Sequence, residues 1–68
     1  MEVATIYFTD RDSGDEGVAV VRAIDDTAGL ALSLRKNGDI DVYLGAQELD
    51  QLIEALQRAR GLLSGSNM

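Results

Sequence analysis

Residues 9–17, Thr-Asp-Arg-Asp-Ser-Gly-Asp-Glu-Gly, gather four of the chain's 12 acidic residues in one polar window: Asp10, Asp12, Asp15 and Glu16. Carboxylates spaced this closely are the raw material of a site for a hard cation. A calcium loop needs oxygen ligands at its first, third and fifth positions, glycine at the sixth and a bidentate glutamate at the twelfth. Counted from Asp10, the first and third positions fit as Asp10 and Asp12. The fifth is Gly14, the sixth Asp15 and the twelfth Val21. Three requirements fail, so the window reads as a charged loop between two strands and predicts no metal site. Its four carboxylates remain as a candidate contact surface for a basic partner.

The rest of the chain offers little covalent chemistry. It has no cysteine and no histidine, which removes thiolate nucleophiles, zinc–sulfur sites and the commonest general base. The serines, at 13, 33, 64 and 66, have no neighbouring base to activate them, and no phosphate-binding or dinucleotide fingerprint is present. The expectation is a protein that is not an enzyme and carries no cofactor.

A second group of residues could bind without catalysing. Tyr7 and Tyr43, with Arg22, Arg35 and the adjacent Lys36, combine aromatic and basic side chains on predicted strands. Rings on which bases stack, beside cations that pair with phosphate, make up a single-strand nucleic-acid platform. The chain holds 6 basic residues against 12 acidic ones, a net charge of −6. A field of that sign repels nucleic acid and anionic membranes, so a protein partner is the favoured expectation.

Those residues must be placed by a small fold. At 68 residues a single domain buries only about 60% of its unfolded surface, and chains of this size usually gain support from disulfides, metals or a partner subunit. Without cysteine, self-association is the available route. The apolar fraction of 46% suits an ordinary globular domain. No apolar run approaches the length of a membrane span, and no signal peptide is evident at the N-terminus. The expected location is cytoplasmic.

Residues 2–8 and 18–24 are rich in β-branched and aromatic types and predict two strands. The first has faces Ala4, Ile6, Phe8 and Val3, Thr5, Tyr7. The second is apolar on both sides apart from Arg22, which leaves its buried face open. Asp25 to Gly29 has turn chemistry. Residues 30–35 and 39–44 alternate, with Leu30, Leu32, Leu34 and Ile40, Val42, Leu44 on one side. Asn37-Gly38 between them predicts a type I′ hairpin. Leu49, Leu52, Ile53, Leu56 and Ala59 recur at helical spacing, with Gly45 as N-cap, Glu48 reaching back to it, and Gly61 as the left-handed C′ residue.

The predicted fold is α+β: a four-stranded antiparallel β-sheet followed by one C-terminal α-helix, in the order β-β-β-β-α. One domain covers residues 1–63, and 64–68 form a disordered tail. The six alternating apolar residues of the last two strands are expected to meet the helix stripe. One helix covers one face incompletely, and a strand apolar on both faces asks for cover from a second subunit, which predicts a homodimer.

The order β-β-β-β-α, with Asp-Val-Tyr-Leu-Gly-Ala-Gln-Glu-Leu-Asp-Gln-Leu-Ile-Glu-Ala-Leu (residues 41–56) leading from strand to helix, resembles the single-stranded-DNA-binding domain of the positive-cofactor-four-like transcriptional coactivators. The resemblance spans roughly residues 2–60 and is one of layout. It implies a dimer that presents its sheets to single-stranded DNA, with Arg22, Arg35 and Lys36 as the counterparts of that family's basic residues. The two functional expectations are therefore an acidic homodimeric adaptor or inhibitor acting through Asp10, Asp12, Asp15 and Glu16, and a nucleic-acid module acting through Tyr7, Arg22, Arg35, Lys36 and Tyr43.

Overall fold

The computed structural model describes residues 1–63, and the expected tail at 64–68 lies outside the described residues. Four strands, β1 (Glu2–Thr9), β2 (Glu16–Ile24), β3 (Thr27–Leu34) and β4 (Gly38–Gly45), precede one helix, α1 (Ala46–Leu62). The strands form a single antiparallel sheet in chain order. The fold is α+β, as the sequence pattern predicts.

Register sorts the strand residues into two unlike faces, because directly paired residues share a side of an antiparallel sheet. One face is built from the rungs Phe8–Gly17–Leu34–Gly38, Ile6–Ala19–Leu32–Ile40, Ala4–Val21–Leu30–Val42 and Ala23–Ala28–Leu44. No charged or hydrogen-bonding side chain occupies any of these positions. The other face carries Tyr7–Val18–Ser33–Asp39, Thr5–Val20–Ala31–Asp41 and Glu2–Arg22–Gly29–Tyr43. Every charged residue that the strands pair lies there. The second strand's open question is thereby answered: Ala19 and Val21 join the apolar face, and Val18 and Val20 join the polar one beside Arg22.

Three local expectations are corrected. The turn between β2 and β3 is Asp25-Asp26 alone, with Ile24 paired to Thr27 and Asp25 in the left-handed region at φ 55°. Gly29 is instead a strand residue, and it is glycine because the paired Tyr43 ring lies over it: a Cβ there would sit 3.1 Å from Tyr43 Cε1. The β3–β4 hairpin exists, but Leu34 pairs with Gly38 around a three-residue loop. Of Asn37 and Gly38 only Gly38 has positive φ, at 92°, so the turn is not type I′, which needs positive φ at both central residues; the left-handed residue is the first of β4. Finally, α1 runs through Gly61 to Leu62 and ends at an extended Leu63, whose N–H reaches the Arg60 carbonyl at 3.3 Å. Gly45 is the N-cap as expected, yet no side chain caps that end.

The core is the largest departure. Among the described residues no hydrophobic side chain is buried. The helix approaches β3 and β4 and never reaches β1 or β2. Leu32, Ile40 and Val42, expected beneath the helix, are 40%, 58% and 37% exposed. The helix leaves directly from the edge strand, β4 ending at Gly45 and α1 beginning at Ala46, and it packs only on that strand and its neighbour β3. Leu49 and Leu52 are half-buried, whereas Ile53 and Leu56 face outward. The Cα radius of gyration is 13.5 Å, against about 11 Å for a compact domain of this length.

Candidate functional site

Antiparallel strands in chain order place the β1–β2 turn and the β3–β4 turn at the same end of the sheet. There the acidic window meets Arg35 and Lys36 of the second group. Asp10 opens the first turn and organises it: its carboxylate accepts the Ser13 hydroxyl at 2.6 Å, the Ser13 N–H at 3.2 Å and the Asp12 N–H at 3.4 Å. Its backbone N–H donates to the Asp15 carbonyl and its carbonyl accepts from Gly14, both at 2.8 Å. Gly14 supplies the left-handed φ of 78° that closes the loop. The bond from the Ser13 hydroxyl, then those from the Ser13 and Asp12 N–H groups, hold the Asp10 carboxyl below its ordinary pKa, since each favours the charged form.

Asp15 has a different role. It is only 7% exposed, and its Oδ2 accepts the Lys36 backbone N–H at 2.7 Å and the Asn37 side-chain amide at 3.2 Å. The carboxylate thus ties the first turn to the second. Glu16 continues the connection. Its carbonyl accepts the Arg35 N–H at 2.9 Å, and its side chain pairs with the Arg35 guanidinium at 3.4 Å, both groups being about three-quarters exposed. An open cleft between the turns is lined by Ser13, Gly14, Asp15, Glu16, Arg35, Lys36 and Asn37.

Of the four acidic candidates, Asp10 and Asp15 are therefore committed to internal hydrogen bonds, while Asp12 is exposed and Glu16, also exposed, pairs with Arg35. Ser13 and Asn37, which the sequence reading does not place in the site, supply donors to Asp10 and Asp15. The signal that could have found them is topological: a β-meander must bring its first and third turns together. Among the described residues no group of three or more carboxylates is arranged to hold a metal ion, and no helix is long and apolar enough to cross a membrane.

The aromatic and basic candidates share the polar face, but not one spot on it. Tyr7 on β1 is 81% exposed and Tyr43 on β4 is 56% exposed, at opposite edges of the sheet. Arg22 lies on β2 in the Tyr43 rung, two residue pairs along. Arg35 lies beside Tyr7, Val18 and Ser33 in a shallow depression that Glu16 completes. Lys36 sits on the turn above. Carboxylates are interleaved throughout: Ser33 donates to Asp39, Thr5 to Glu2, and the Tyr43 hydroxyl to Asp41 at 3.3 Å.

Chemically, this end of the molecule is a pair of cross-braced turns carrying exposed charges of both signs, Asp12 and Glu16 beside Arg11, Arg35 and Lys36. Comparison with protein-family models, with curated proteins and with solved structures found no match for this chain.

Proposed function

We propose that the protein is a non-enzymatic binding module, homodimeric, that meets a basic region of a protein partner through the exposed carboxylates around its braced turns. The observation that carries this reading is the Glu16–Arg35 pair at 3.4 Å. The strongest candidate for holding phosphate already has an acidic neighbour, and the strands' polar face as a whole bears Glu2, Glu16, Asp39 and Asp41 against Arg22. A net charge of −6 extends that bias to the whole surface and favours encounter with a cationic partner. Asp12 and Glu16 make the contact, with Asp10 and Asp15 holding the loop in shape. Fixing a loop before binding lowers the ordering cost of association.

The second reading, a single-strand nucleic-acid module of the coactivator type, is favoured by the exposure of Tyr7 and Tyr43 on one face. Titrating the protein into fluorescently labelled oligolysine, and separately into a labelled single-stranded oligonucleotide at low salt, decides between them. The proposal expects oligolysine binding that weakens with salt and with Asp12→Asn/Glu16→Gln, and no oligonucleotide binding at tens of micromolar. Oligonucleotide binding that is lost in Arg35→Ala would overturn it.

A further inference from the structure

The described chain carries two apolar surfaces of different shape, and neither covers the other. One is the uncharged sheet face, where Ile6, Leu32 and Ile40 of a single rung are 54%, 40% and 58% exposed. The other is the helix stripe, whose Ile53 and Leu56 are 44% and 60% exposed. Monomeric proteins seldom leave such patches open. The exposed surface of the whole chain, polar and apolar together, can be compared with what a stable pair requires. A folded monomer of 7.3 kDa is expected to expose about 4,200 Å², whereas this chain exposes 5576 Å². The excess, about 1,400 Å² per chain, falls within the range of obligate homodimers, roughly 1,000–2,500 Å² per partner.

The occupant is identified by complementarity. A two-fold pair is isologous: whatever surface one copy offers, the other must match. A chain with an uncovered sheet face and an uncovered helix stripe meets that condition by reciprocal exchange. Charge agrees. Two copies each at −6 repel one another through most of their surface, but the apolar face holds no charged residue on any of its rungs.

We propose that a second copy of this chain covers the apolar sheet face, each copy laying the Ile53 and Leu56 side of its helix across the Ile6–Leu32–Ile40 rung of the other. The polar face, with Tyr7, Arg22 and Tyr43, and the braced turns with Asp12 and Glu16 are thereby left outward on both copies. This rests on the homodimeric part of the proposed function and is independent of what the acidic turns bind.

Because the chain has no cysteine, two single variants, Ile40→Cys and Leu56→Cys, can be unfolded, mixed, refolded together and oxidised. The proposal expects the mixed disulfide between the two variants to dominate over either self-disulfide, and sedimentation of the unaltered chain at micromolar concentration to give twice 7.3 kDa. Leu56→Glu, at a site exposed in the single chain, is expected to abolish the pair, and Tyr7→Glu on the opposite face to leave it intact. A folded single-chain mass at micromolar concentration overturns the homodimer and the seam together. A dimer that survives both Leu56→Glu and Ile40→Glu, or that yields only self-disulfides, overturns the seam and leaves the homodimer standing. Oligolysine binding is read separately, so its loss bears on the acidic contact alone.

Discussion

The Asp15 carboxylate accepts the backbone N–H of Lys36 at 2.7 Å, joining residues 21 positions apart in sequence and bracing the two turns at one end of the sheet. Its low exposure makes the bond structural. Asp15→Ala leaves the Lys36 N–H and the Asn37 amide without their acceptor, which costs on the order of 1–3 kcal/mol. Asp12→Ala, at an exposed side chain, stays within about 0.5 kcal/mol of the parent. Urea denaturation midpoints of the two variants check the contrast; equal midpoints would remove the bracing role.

The Asp10 carboxyl titrates below its ordinary value because Ser13 and Asp12 donate to its charged form. A depressed folded-state pKa means that the ionised form favours folding. That contribution is fully present above the unfolded pKa and is lost as pH falls through the lower, folded one. Asp10 is only half-buried, so the effect is local and modest. In a carboxyl-carbon NMR titration the Asp10 midpoint lies below the ordinary aspartate value, and Ser13→Ala moves it upward. A midpoint unmoved by Ser13→Ala contradicts the assignment.

Gly17 sits where Phe8 and Leu34 close over the backbone. A Cβ placed there would lie 2.7 Å from Phe8 Cζ and 2.8 Å from Leu34 Cδ2. Gly17→Ala forces both side chains to move and is expected to destabilise by about 1–2 kcal/mol, the usual cost of mild overpacking. At Gly61, where no atom lies near the added methyl, Gly61→Ala should raise stability, because alanine is the better helix former by roughly 1 kcal/mol. Thermal unfolding of the two variants in parallel reads both signs.

The strands were legible because alternation is a local property. Leu30, Leu32 and Leu34 against Ser33 mark one strand without reference to any other part of the chain. Turn geometry was less so: Asn37-Gly38 signals a reversal, but the pairing of Leu34 with Gly38 decides which residues make it. Gly29 resembles a turn glycine until Tyr43 is known to lie over it, and that contact joins strands distant in sequence. The reach of the helix is not legible in the sequence for a different reason. Apolar spacing identifies the stripe of α1, but not how many strands a helix leaving the edge strand β4 will reach. In the candidate site, the acidic window announced itself by composition, whereas the division between bracing Asp15 and outward Asp12 depended on a turn contributed from 21 residues away.

One copy of this chain has no buried hydrophobic side chain among its described residues, and in the proposed dimer a second copy completes it. The decisive measurement is the thermal unfolding midpoint across a hundredfold range of protein concentration. If folding and pairing are one event, mass action raises the midpoint steadily with concentration. A midpoint independent of concentration, together with a mass of 7.3 kDa throughout that range, would contradict it.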